Sequence, residues 1–217
     1  MTATPYSAST APFDSQLPVS GRSAWPWWLM TIMSGGTAIY AAHYFLGRPT
    51  GHFGEHFPIL LAHITGGGVA LLLGPWQFST KLRERSLNLH RSLGRIYLAA
   101  VALGSLAGFT LAFFSEEGPP THFGFGALAV LWFATGLTAY RRILRGNIES
   151  HRQWMVRNYA LTLAAVTLRN ELPLMLVARV QLSDAYMIVS WLCWVPNLLV
   201  AEWLLRRPAN PVNHFSP

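Results

Sequence analysis

Six stretches of about 22 mostly apolar residues, at 25–46, 57–78, 93–114, 122–143, 154–177 and 185–205, constrain this chain more than anything else in it. As helix, 22 residues extend about 33 Å, against about 30 Å for the hydrocarbon core of a bilayer. Inside lipid no water is at hand for the peptide groups, so each run must satisfy them internally, as a helix. The connections are short, so successive helices should be antiparallel. The expected architecture is all-α: an integral membrane protein of six transmembrane helices with a four-helix core made by helices two to five. It divides into a flexible cytoplasmic tail (1–22), a membrane domain (23–207) and a second cytoplasmic tail (208–217). Composition agrees, with 52% hydrophobic and only 12% charged residues, where about 25% charge is usual for soluble domains.

A net charge of +7 taken alone would suggest a nucleic-acid partner. Its distribution says otherwise. Thirteen of the 16 Lys and Arg fall on one side of the expected topology: Arg22, Lys81, Arg83, Arg85, Arg91, Arg95, Arg141, Arg142, Arg145, Arg152, Arg157, Arg206 and Arg207. The opposite loops carry Arg48 and Arg179, with Glu55, Glu116, Glu117 and Asp184. Basic loops stay in the cytoplasm. The expectation is an inner-membrane protein with both termini cytoplasmic and no nucleic-acid partner. Cys193, the single cysteine, excludes an internal disulfide and a multi-cysteine metal site. No zinc spacing, phosphate-cradling glycine loop or Ser/His/Asp set is present.

Four histidines fall at two depths. His63 and His122 belong to the outer ends of helices two and four, and His90 and His151 to the inner starts of helices three and five. The separations, 59 and 61 residues, point to a duplicated helical hairpin closing into a four-helix bundle with facing histidines. Two bis-histidine b-type haems need such an arrangement, with ligands from different helices sandwiching each ring. Gly66, Gly67 and Gly94 leave room for a flat ring one turn from a ligand. Arg91, Arg95, Arg152 and Arg157 are candidate partners for the propionates. His43 is the alternative outer ligand. Three features depart from the layout: the inner histidines are interfacial, His122 is shallower than His63, and Met155 stands where Gly94 does in the first copy. His-Arg at a helix entry equally suits lipid phosphates.

Arg169, Asn170 and Glu171 interrupt the outer half of helix five ahead of Pro173. A charge at that depth calls for a partner or a wet cavity. Two residues apart on a helix, Arg169 and Glu171 point in different directions, so Arg169 should face a carboxylate from elsewhere, a propionate or an anionic substrate.

Three blocks carry a family likeness: Gly74-Pro75-Trp76-Gln77-Phe78, His90-Arg91-Ser92-Leu93-Gly94-Arg95-Ile96-Tyr97, and His151-Arg152-Gln153-Trp154-Met155-Val156-Arg157-Asn158-Tyr159-Ala160 running on to Arg169. They resemble the bacterial membrane family catalogued as domain of unknown function 2306, which implies a polytopic inner-membrane protein. The histidine layout also looks like that of the six-helix di-haem cytochromes b that pass electrons from ascorbate, where helices two and four share one haem and three and five the other. The leading functional expectation is therefore haem-b electron transfer across the membrane, with a quinone or small redox partner. The competing one is a haem-free transporter or assembly factor whose Arg/His ring binds lipid head groups or an anionic solute.

Overall fold

The computed structural model describes residues 25–47 and 55–207. Both expected tails, with Arg22, and the segment 48–54, with Arg48, lie outside the described residues. Among those described there is no strand. The helices are α1 (Trp25–Ala41), continued by a short 3-10 turn (Ala42–Phe45), α2 (Phe57–Gln77), α3 (Thr80–Arg85), α4 (Leu87–Ala112), α5 (Pro119–Leu144), α6 (Ile148–Thr162), α7 (Ala164–Val177), α8 (Leu182–Leu192) and α9 (Val195–Arg206). Leu163 keeps right-handed helical backbone angles, so α6 and α7 act as one rod. Among the described residues five stretches are long and apolar enough to cross a membrane: Phe57–Gln77, Leu87–Ala112, Pro119–Leu144, Ile148–Val177 and Leu182–Arg206. At 17 residues, or about 26 Å, α1 is shorter than the 22-residue run expected. Apolar character continues through Ala42–Phe45, but the tighter 3-10 turn takes over there.

Helix starts are set by local chemistry that hydropathy does not see. α4 begins at Leu87, ahead of the apolar run, because the Ser86 hydroxyl accepts the Leu89 N–H at 3.3 Å. Likewise the Asn147 carboxamide accepts the Ser150 N–H at 2.9 Å and opens α6 at Ile148. These N-caps satisfy donors that a helix start leaves free. Gly118, at φ 87°, and the following Pro119 and Pro120 open α5; Gly146, at φ 73°, closes its far end. Between α8 and α9, Pro196 lacks the N–H that would continue the helix, and the chain steps at Trp194.

In the bundle α2 packs on α4, α4 on α5 and α5 on α6, while α1 lies along α2, α8 touches α5 and α7, and α9 touches α6. Glycines decide the closest approaches. A Cβ on Gly66 would stand 2.5 Å from the Ala100 carbonyl and from the Gly104 amide, so α2 and α4 meet backbone to backbone. Gly74 is overlaid by the Tyr159 ring, which joins α2 to α6. The apolar core holds Ala70, Tyr97, Val101, Trp132, Tyr159 and Leu161, and extends to Val189, Cys193 and Trp194 of the last two helices. The outer surface is apolar too: Leu46 is 90% exposed, Ile39 74% and Phe123 71%. So continuous an apolar surface belongs against lipid.

The hairpins at offset 61 share more than histidines. Ser86 and Asn147 cap at equivalent positions, and His90 and His151 are each the fourth residue of their helix. The equivalents Tyr97 and Asn158 touch across the bundle, the Tyr97 hydroxyl donating to Asn158 Oδ1 at 2.7 Å.

Candidate functional site

At the end of the bundle away from the basic loops, α1, α2, α4, α5, α6, α7 and α8 line a half-open cavity of about 870 Å³, within the size range of small-molecule sites. Its walls are mainly aliphatic and aromatic, and small residues create the space. Gly36 and Gly67 border it with nothing within 4 Å of a Cβ built on either, whereas a Cβ on Gly108 would strike His63 Nδ1 at 2.8 Å. Gly108 is therefore the notch that admits the imidazole.

His63 faces this space from α2. Its Nδ1 lies 2.8 Å from the Gly104 carbonyl. A carbonyl only accepts, so Nδ1 carries a proton, and in the neutral ring Nε2 keeps its lone pair. Nε2 has no hydrogen-bond partner among the described residues.

Arg169 enters from α7. Its Nη1 donates to the Ala165 carbonyl one turn back, at 3.0 Å. Among the described residues no carboxylate pairs with it; Tyr40, Tyr44, Tyr186 and His63 supply its electrostatic surroundings. All of these residues line the same cavity. Of the partners expected from sequence, another helix's carboxylate is absent from its surroundings among the described residues, leaving a guanidinium in apolar walls with donors to spare. Asn170 bonds back to the Val166 carbonyl at 2.7 Å. Glu171 Oε2 is buried with no partner and faces towards Cys193.

The floor is a fixed polar network. Asn158 Nδ2 donates to the Trp132 carbonyl at 2.7 Å and to Thr135 Oγ1 at 2.9 Å. Trp132 Nε1 donates to Thr162 Oγ1 at 2.9 Å, and that hydroxyl donates to the Asn158 carbonyl at 3.0 Å. Asn158, Thr162 and Tyr97 are fully or nearly fully buried, and every donor named is used, so this part of the core is locked.

The other residues singled out from sequence lie elsewhere. His122 is half-buried and donates Nε2–H to the Ser115 carbonyl at 2.7 Å; it is not among the cavity-lining residues, and neither is His43, which is exposed and bonded to the Tyr40 carbonyl. At the basic end, His151 Nδ1 donates to the Ala139 carbonyl at 2.9 Å. His90 Nδ1 is buried without a partner, and the ring interacts electrostatically with Arg83, His151 and Arg91. Arg157 is taken by Glu202 of α9, through Nε at 2.5 Å and Nη2 at 3.0 Å, and its guanidinium lies 4.8 Å from the Trp154 ring. Arg91, Arg95 and Arg152 are exposed and form no ion pair among the described residues. No group of three or more His, Cys, Asp or Glu able to hold a metal ion occurs among the described residues.

The sequence reading missed Tyr40, Tyr44 and Tyr186. The four-residue spacing of Tyr40 and Tyr44 was legible, but nothing in the chain says that helix one packs over His63.

A family model described as a predicted membrane protein, DUF2306, matches residues 59–205, a span that takes in every cavity helix except α1. No curated protein and no solved structure matches the chain. With five stretches among the described residues long and apolar enough to cross a membrane, and a family match over most of its length, the chain belongs to the DUF2306 family of predicted membrane proteins.

Proposed function

We propose that this protein binds an amphiphilic, lipid-borne molecule whose anionic or carbonyl-bearing head sits on Arg169 and whose apolar body fills the cavity. The observation that carries the reading is Arg169, a cation in an apolar cavity with no carboxylate partner among the described residues. Such a charge is costly at that depth, and a ligand acceptor removes the cost. His63 adds a second polar contact, accepting at Nε2 from a hydroxyl on the ligand. A reduced quinone or an acidic lipid has this chemistry. In this reading α1 and its 3-10 extension make a sixth span, helices two to five of the topology form the bundle core, and the Lys/Arg bias puts both termini in the cytoplasm and the cavity in the outer leaflet of an inner membrane.

The test is to purify the full chain in mild detergent, extract it with organic solvent and identify co-purified lipophiles by mass spectrometry. A stoichiometric lipophile, lost in Arg169→Gln, supports the reading; no difference between the two preparations overturns it.

A second reading places haem b in the same cavity. The observation favouring it is His63, whose Nδ1–H is fixed on a backbone carbonyl, the outer-shell contact that orients metal-bound imidazoles. The lining residues would supply one histidine ligand, His63, and one propionate partner, Arg169, and they do not fit a bis-histidine pair, since His122 is held on Ser115. When bound, haem would supply one-electron exchange; this chain's own part would be to hold the ring and to exclude water. Expression with ample haem discriminates: a Soret band abolished in His63→Ala supports it, and a colourless preparation rejects it.

A further inference from the structure

The basic end holds polar atoms that nothing in the fold satisfies. Gln77, the last residue of α2, is 8% exposed, yet its Nε2 has no hydrogen-bond partner. Its Oε1 rests against Gly94, 3.1 Å from where a Cβ would stand. Gly94 is one turn beyond His90 on the same face of α4, and His90 Nδ1 is the second buried atom without a partner. Buried polar groups of this kind are rare, because leaving one unsatisfied forfeits the hydrogen bonds that water gave it.

The surroundings select the sign of the ligand. Arg83 of α3 and Arg91 of α4 act electrostatically on His90, as does His151 from α6. Neither arginine forms an ion pair among the described residues. The first turn of α4, capped by Ser86, adds the positive end of a 26-residue helix. A cation would be repelled here. An oxyanion would meet the Gln77 amide, the His90 ring N–H and two guanidinium groups, and a tetrahedral phosphate uses donors arriving from several directions.

We propose that Gln77, His90, Arg83 and Arg91 form a phosphate-binding site at the cytoplasmic boundary of the bundle, separate from the cavity around Arg169. The ligand is a phosphate group, carried by a phospholipid head of the inner leaflet or by a free phosphate compound. The site is independent of what occupies the outer cavity.

Two arms distinguish the sources. In the first, the full chain in phosphatidylcholine nanodiscs is titrated with inorganic phosphate and followed by 31P line broadening. In the second, the chain is taken from vesicles containing phosphatidylglycerol, and retained lipid is counted by native mass spectrometry. The variants are His90→Ala, Gln77→Leu and the surface change Arg91→Gln, with Arg206→Gln as control. Loss of one charge-assisted bond should weaken binding about 10-fold or more in each variant, with the control unchanged. A loss in the first arm assigns a free phosphate compound, and a loss in the second assigns the lipid head. Gln77→Leu should also raise the unfolding temperature, since it removes an unsatisfied amide, while it weakens phosphate binding. Variants that match the unmodified chain in both arms overturn the proposal.

Discussion

Arg169→Gln should make the protein more stable and less able to hold its ligand. The usual outcome of removing a buried charge is the reverse: the partner is stranded, and breaking such a pair costs about 3–5 kcal/mol. Arg169 has no such partner among the described residues, and its one hydrogen bond, Nη1 to the Ala165 carbonyl at 3.0 Å, goes to a carbonyl of its own helix. Glutamine keeps an amide donor and takes away a charge half-removed from water. The expected gain in the ligand-free protein is about 1–2 kcal/mol, of the order of a desolvated polar group. For a chain of this size that is about 2–8 °C in unfolding temperature. Cys193 supplies the assay. It is the only cysteine and is 0% exposed, so a thiol-reactive fluorogenic maleimide reports on global unfolding in detergent. Ligand retention should move the opposite way, by about 10- to 100-fold for the loss of a charged hydrogen-bond donor. A fall in unfolding temperature of the size of a broken ion pair would refute the reasoning, because it would mean that Arg169 is held by a protein carboxylate.

Two neighbouring glycines should part company: Gly66→Ala loses about 1–3 kcal/mol, since its Cβ would meet backbone at 2.5 Å, while Gly67→Ala, with open space around it, folds normally, as thermal unfolding in detergent would show. Gly67→Phe, projecting into the cavity, should keep the fold and displace any co-purified lipophile, read by mass spectrometry. Asn158→Leu strips three side-chain hydrogen bonds from a fully buried position and should cost about 2–4 kcal/mol, with the expressed protein recovered mainly as aggregate in size-exclusion chromatography. Arg179 is the one non-glycine residue at positive φ, 64°, among those described; Arg179→Gly should stabilise by about 1 kcal/mol and leave ligand retention untouched.

The helices were legible because lipid imposes one demand on every span: about 20 apolar residues bonded within themselves. Boundaries were less so. The polar segment from Ile148 to Gln153 carries no apolar signal, and its helix is made by the Asn147 cap, a contact of one side chain with one N–H. For the site, the isolated charge at Arg169 announced itself by depth alone, and the expectation that it would not pair with Glu171 follows from helix geometry. What faces it did not. Tyr40 and Tyr186 are about 150 residues apart in sequence, and only the packing of α1 and α8 against α7 puts both beside Arg169. The histidines show the same limit: repeat spacing paired His63 with His122, but the Ser115 carbonyl claims His122, an interaction set by the loop between α4 and α5. Gln77 reads in sequence as a helix end, and only its contact with Gly94 shows that the amide is buried with a free N–H.

The most direct measurement is an experimental structure of the full chain in lipid nanodiscs, at a resolution that shows side chains and bound lipid. The account predicts an elongated non-protein feature inside the outer cavity, its polar end within hydrogen-bonding distance of the Arg169 guanidinium and His63 Nε2. A cavity closed by side chains, with Arg169 turned onto a carboxylate of the protein, would contradict it.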